Sequence, residues 1–333
     1  MAEKALCEQL AERVGAGDSK IIAAIFAALT NEKEAKLLLA VSPPATTEEI
    51  AEKTGLNVGE VEKMIDPLFK KGLLFKSRKA DGIRYYRARH VLQLHDSTAV
   101  ATDPSREMMD LWKRFMAEEW TDFSRKLEEK LPNSVMRVIP VNVSVDLNTQ
   151  ILAFEDVKQL IDSARILAVT RCSCRAIDGA CGKSLEVCIQ IDRAADYAIE
   201  RGTGRSLSKE EAINLLKMCE EEGLIHVAEN KKALGHVICN CCNDCCINWP
   251  SVRNDRGKFA APSRFRAWID PEECIGCELC LERCFFDAMR MQEEENLAAV
   301  DADDCMGCGL CQVVCPTDAI LMQEARSEAF IPI

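Results

Sequence analysis

Cysteine placement constrains this chain more than any other feature. Eighteen of its 19 cysteines fall between Cys172 and Cys315, and eight of them recur with a 31-residue period: 274, 277, 280 and 284 against 305, 308, 311 and 315. The flanks repeat in step. Trp268-Ile269-Asp270 leads into the first set and Ala299-Val300-Asp301 into the second, while Asp287-Ala288 returns as Asp318-Ala319 and Met291 as Met322. A duplicated half-domain is the simplest account. Thiols two residues apart can grip one metal centre from a single loop. Met1 to Arg13 reads as a charged helix rather than a secretory leader, so a reducing compartment, the cytoplasm, is expected and disulfides are not. Only four histidines are present, which disfavours His-rich zinc sites.

The stretch C-I-G-C-E-L-C-L-E-R-C from Cys274 to Cys284, followed by C-M-G-C-G-L-C-Q-V-V-C-P from Cys305 to Pro316, resembles the bacterial two-cluster ferredoxins. The resemblance implies that each three-cysteine loop wraps one corner of a 4Fe–4S cubane, while the fourth cysteine ligates the other cluster. It assigns Cys274, Cys277, Cys280 and Cys315 to one cluster, and Cys305, Cys308, Cys311 and Cys284 to its partner. Gly276 and Gly307 would let the backbone curl close. Phe285 departs from the pattern, which has proline there, as Pro316 does in the second half. A third cysteine in each loop separates the pair from two zinc ribbons. Such clusters carry single electrons, with potentials tuned by burial and hydrogen bonds.

Nine further thiols lie upstream: Cys172, Cys174, Cys181, Cys188, Cys239, Cys241, Cys242, Cys245 and Cys246. They are expected to ligate metal as one or two further 4Fe–4S clusters, with zinc as the alternative. Arg175 would offset thiolate charge. Cys188, beside a helical stripe of Ile191, Ala195 and Ala198, reads equally as a core thiol, and Cys181 is open between the two roles. Cys219 reads as core, and Cys7, on an amphipathic helix, reads as inert. The segment resembles cysteine-rich domains of multi-cluster iron–sulfur proteins of anaerobic metabolism, but it lacks the Cys-Cys-Gly signature of heterodisulfide reductases. His226 and His236 are expected to face each other across a hairpin, in a core or hydrogen-bonding role. Gly202-Thr203-Gly204-Arg205 lacks the strand and third glycine of a phosphate loop.

The length of 333 residues suggests two or three domains. From Asn31 to Arg89, three helices precede a hairpin turning at Asp81-Gly82, an order that resembles a winged helix-turn-helix domain. Residues 70 to 89 carry eight basic side chains against Asp81 alone. The second helix of the motif, however, opens with Glu60 and Glu62 and offers no arginine to read guanine. Residues 1–96 hold fifteen Lys/Arg against fourteen Asp/Glu, and the whole chain carries −12, so protein docking or dimerisation through the N-terminal helices ranks at least level with DNA binding. The longest apolar run, Ile21 to Leu29, is nine residues, short of the ~20 that a membrane span needs.

The expected architecture is α+β and multidomain. N-terminal helices plus a winged helix occupy 1–96, and a connecting amphipathic helix lies in 97–132, read as continuous from Pro104 to Lys130. A cysteine-rich α/β domain spans 133–262, with helices over Asn148 to Ala164 and Glu186 to Glu200. A ferredoxin-like dicluster domain spans 263–333. The expected function is electron relay to a redox partner protein. A redox-sensing regulator, or an oxidoreductase reacting at the middle cysteines, is the alternative.

Overall fold

The computed structural model describes residues 2–144, 152, 155–250, 257 and 259–332. They form two compact units: Met1–Phe123 with Ser173–Gly179 and Glu200–Thr203, and Ser124–Cys172 with Ala180–Ile199 and Gly204–Ile333.

The first unit opens with α1 (Ala2–Arg13), α2 (Lys20–Leu29) and α3 (Glu32–Ala40), then α4 (Thr47–Thr54), α5 (Val58–Lys71) and the hairpin β1 (Leu74–Lys79) and β2 (Gly82–Arg87). Its helix starts are chemically fixed. Asn31, Thr46 and Asn57 each accept from the backbone N–H three residues on, and Glu34, Glu49 and Glu60 reach back to the cap, giving three successive capping boxes. The hairpin pairs in register from Leu74↔Arg87 to Lys79↔Gly82, and Ala45 bridges Tyr85 on its free side. Its basic side chains are largely engaged inside the unit. Lys70 pairs with Asp66, Lys71 with Glu34, Lys76 and Arg78 with Glu200, and Arg84 with Glu49 and Asp81; Arg87 is buried.

After α6 (Val91–Ala99), the single long helix read from Pro104 to Lys130 is two helices, α7 (Arg106–Glu118) and α8 (Trp120–Lys130). Glu119 leaves the helical region at φ −124°. The break lets Phe115 meet Trp112, Trp120 and Phe123 with ring centroids 5.7, 6.3 and 5.8 Å away. Packing these large rings outweighs one residue of helix.

The second unit is built on seven strands ordered β6-β4-β5-β8-β7-β3-β9. They are β3 (Met136–Val138), β4 (Leu167–Arg171), β5 (Glu186–Ile191), β6 (Gly204–Leu207), β7 (Ile225–Glu229), β8 (Val237–Cys241) and β9 (Ala260–Ala261). All neighbours are antiparallel except β3 and β9. The stretch Glu186 to Glu200, read as one helix, is β5 followed by α11 (Arg193–Arg201). Val187, Ile189 and Ile191 are buried at every second position while Cys188 and Gln190 are only half-buried. That alternation is the period of a strand, and it overrides the helical spacing read through Ile191 and Ala195. Helices α9 (Val157–Ser163) and α12 (Lys209–Glu222) join Ile189, Ile191, Leu167, Val169 and Ile238 in one core. Most of the earlier part of the helix expected from Asn148 lies outside the described residues. Helix α10 (Ser173–Asp178), with Cys174 and the buried Arg175, belongs to the first unit.

The 31-residue repeat becomes two interleaved halves: β10 (Phe265–Ile269), α13 (Leu279–Arg283) and β11 (Met289–Gln292), then β12 (Leu297–Val300), α14 (Leu310–Val313) and β13 (Ile320–Glu324). β10 pairs with β13 and β11 with β12, both antiparallel. Hydrogen bonds repeat with the sequence. Asp270 N–H donates to Ala319 O at 2.8 Å and Asp301 N–H to Ala288 O at 2.7 Å; Cys274 N–H donates to Asp270 O at 3.0 Å and Cys305 N–H to Asp301 O at 3.2 Å.

Candidate metal centres

Each repeat half delivers two cysteines on a loop, a third inside the one-turn helix that follows and a fourth just after it. Crossing of the halves puts sulfurs from both into each group. Cys280 lies in the field of Cys274, Cys277 and Cys315, and Cys311 in that of Cys308, Cys305 and Cys284. The first foursome lines a small hollow bordered also by Ile269, Ala298 and Ile320. The loop glycines are required by their surroundings. Gly276 and Gly307 take φ +66° and +67°, and a Cβ there would collide with the carbonyl oxygens of Asn296 and Phe265 respectively.

The two loops meet different environments. Cys277 is exposed, with Ile275 60% and Leu279 42% accessible, and Glu272, Glu273, Glu278 and Glu282 stand exposed around them. In the second loop Cys305, Met306, Leu310 and Cys311 are buried. Val141 N–H donates to Cys308 O at 2.9 Å, and Ser263 Oγ–H to Gly307 O at 2.6 Å. Burial pushes the Cys280 thiol up to about 11 and Cys308 up to about 12, and raises Cys311 and Cys284 as well. Neighbouring thiolates push Cys280, Cys308 and Cys311 further the same way. An iron centre therefore has to displace protons to enter, and its positive charge supplies what the burial withholds.

Phe285, standing where the repeat partner has proline, packs edge-on to Phe286 at 4.8 Å and tilts toward Trp249 at 5.9 Å. Trp249 is itself buried, and its Nε1–H donates to Cys242 O at 2.8 Å.

The middle cysteines gather at one end of the sheet. The register Ile189↔Ile238 makes Cys188 and Cys239 cross-strand neighbours, with their sulfurs 4.0 Å apart. Cys188, left open between core and ligand roles in sequence, is thus on the cysteine-bearing face. Cys241 hydrogen-bonds with Cys239 and Cys246, contacts that together with burial raise its thiol well above the ordinary value. Between them Asn240 points the other way, to His226 Nδ1 at 2.6 Å and Val187 O at 2.6 Å. His226 faces Asn240 across the hairpin and not His236, because the strand register pairs His226↔Asn240. The other ring nitrogen meets Glu220 Oε1 at 3.1 Å, and the Glu220 carboxylate also accepts from the backbone N–H groups of Asn142, Val143 and Ser144.

A second middle group comprises Cys181, Cys242, Asp244 and Cys245, whose donor atoms all lie within 4.8 Å of one another. Asp244 is the member sequence reasoning missed; its signal was a carboxylate inside a Cys-x-x-Cys turn. Burial opposes its charge, but hydrogen bonds from Cys242, the Cys245 backbone N–H and the Cys245 thiol hold its carboxyl below the ordinary range. Cys172 follows β4, its N–H donating to Leu185 O at 2.8 Å, whereas Cys174 lies in the first unit. Cys219 is buried, as expected of a core thiol, and Cys7 is buried as well.

Residues 267–322 match the family model of the 4Fe-4S dicluster domain. No curated protein and no solved structure matches the chain. The C-terminal part is therefore a 4Fe–4S dicluster domain, and with the cysteine-rich segment before it points to iron–sulfur electron transfer. Eight thiols in two foursomes, one around a hollow, fit that pair of clusters. Among the described residues no helix is long and apolar enough to cross a membrane.

Proposed function

We propose that the protein is a multi-cluster electron-transfer component that passes single electrons between a partner redox protein and a further metal centre among its middle cysteines. The carrying observation is the asymmetry of the two loops, one presented to solvent and one walled in by residues of the cysteine-bearing unit. Cys274, Cys277, Cys280 and Cys315 would hold the outer cluster, and Cys284, Cys305, Cys308 and Cys311 the inner one. Bound there, 4Fe–4S clusters supply one-electron transfer. Ile275 and Leu279 give a partner an apolar contact, and the surrounding glutamates favour one with a basic docking face. Val141, Ser263 and Phe265 exclude water from the inner loop.

Residues 31–89 would form a winged-helix module used for protein docking. Its wing charges are paired with Glu200, Glu49 and Glu34 of the same unit, and Glu60 on α5 pairs with Lys33. That leaves little free positive charge for phosphates.

The test is delivery of electrons. Anaerobically purified protein, reduced with dithionite and freed of excess reductant, is expected to pass about two electrons per chain from the ferredoxin part to oxidised cytochrome c. An iron-loaded chain that passes none overturns the reading. Retention on duplex DNA at low salt, lost as salt rises, would favour the regulator instead.

A further inference from the structure

The run from Cys239 to Cys246 does not serve one site. Strand alternation sends Cys239 and Cys241 to one face, where they meet Cys188 and Cys246, while the turn beyond β8 carries Cys242 and Cys245 to the loop that bears Cys181. We infer that Cys181, Cys242, Cys245 and Asp244 form a single-ion site for a thiophilic divalent cation, zinc, separate from any iron–sulfur cage. The inference rests on the middle cysteines being metal ligands, and adds which of them share one ion.

Spacing is the first argument. A tetrahedral ion with ~2.3 Å metal–sulfur bonds draws its thiolates to about 3.8 Å from one another. Donor atoms already within 4.8 Å need to close by only about an ångström. A cubane interposes its own irons and sulfides, so its outer thiolates stand well apart. Among the described residues the Cys181 group is the one set of three or more cysteine, histidine or acidic donors drawn so close.

Donor chemistry agrees. Three soft sulfurs and one carboxylate complete four-coordination, and Cys242-x-x-Cys245 has the ligand spacing of a zinc turn. The site is also braced. Trp249 Nε1–H fixes the Cys242 carbonyl at 2.8 Å, and Cys245 N–H donates to Asp244 Oδ1 at 2.9 Å, outer contacts of the kind that orient ligands. Cys242 and Cys245 are buried, Cys181 half-buried and Asp244 exposed. The thiolates would wall the ion in, with Asp244 closing the side toward water.

Elemental analysis of the full chain, purified anaerobically, tests this together with the variants Cys242→Ser, Cys181→Ser, Asp244→Asn and Cys284→Ser. The expected wild-type content is about one zinc per chain beside the iron of the ferredoxin part and of the redox centre on the Cys188, Cys239, Cys241 and Cys246 side. Cys242→Ser and Cys181→Ser, on separate segments, should each lose the zinc and keep the iron, while Cys284→Ser should lose iron and keep the zinc. Asp244→Asn, a surface change, should retain zinc at purification but release it to a chelator roughly tenfold faster. Cobalt in place of zinc should show the visible absorption of a tetrahedral thiolate site. Iron above about eight per chain that falls by about four in Cys242→Ser overturns the single-ion assignment and leaves the middle metal reading standing. No metal beyond about eight irons overturns both.

Discussion

The two halves of the dicluster repeat share cysteine spacing, loop glycines and backbone hydrogen bonds, yet they sit in different media. The 274–280 loop exposes Ile275, Cys277 and Leu279 among glutamates while burying Cys280; the 305–311 loop has a strand extension, a serine and an aromatic side chain against it. Local sequence thus fixes which sulfurs gather, and the remainder of the unit fixes what surrounds them. Surroundings set access, proton affinity and potential. On the proposed reading, one repeat thereby yields an outer terminal and an inner one.

The contrast should show most strongly in stability. Leu310 on the inner loop is buried. Leu310→Ala is expected to cost about 2–5 kcal/mol in denaturant unfolding. Ile275→Ala on the outer loop should cost under about 0.5 kcal/mol. Equal losses would mean that the halves are embedded alike.

Next comes Glu220, which caps three backbone N–H groups of the segment that follows Val141, the donor to Cys308. Glu220→Ala strips those donors of a buried partner and should cost about 3 kcal/mol. The Glu220 carboxyl is held below its ordinary 4.5: burial works against the charge, but hydrogen bonds from His226 and Ser144 and the attraction of His226 outweigh it. A depressed folded value means that the contribution is fully present above the unfolded value of 4.5 and is lost as pH falls through the folded one. Unfolding from pH 7 downward should therefore show an acid limb that Glu220→Gln flattens. An unchanged limb would assign the acid sensitivity to other carboxylates.

Oxygen sharpens the comparison kinetically. The set containing exposed Cys277 should lose its signal in air several-fold faster than the inner set, read by spin resonance on timed samples. Simultaneous loss would erase the distinction. The smallest effect belongs to docking. Reversing Glu272, Glu273 and Glu278 to lysine should slow electron exchange with a basic acceptor roughly threefold at low salt, with little effect at high salt, and leave cluster content unchanged.

Much of this was legible in residues. The dicluster match at 267–322 was legible in the repeat because a cluster loop is local, and the order of three helices before a hairpin was legible for the same reason. Errors came where tertiary contacts decided. Helix Pro104–Lys130 breaks at Glu119 because four aromatic side chains pack around the corner. Strand β5 was masked by a helical register that continues past Ile191. The grouping of Cys181 with Cys242 and Cys245 was invisible because it depends on a turn and a loop some sixty residues apart, and Asp244 carries no mark in sequence beyond its place between them.

The most direct test is low-temperature spin resonance of the dithionite-reduced, anaerobic chain. Two neighbouring cubanes predict about two spins per chain with mutual splitting, reduced in Cys311→Ser to one unsplit signal from the outer set. A reduced chain without that paired signal, or one whose spectrum ignores the loss of Cys311, would contradict the two-terminal account.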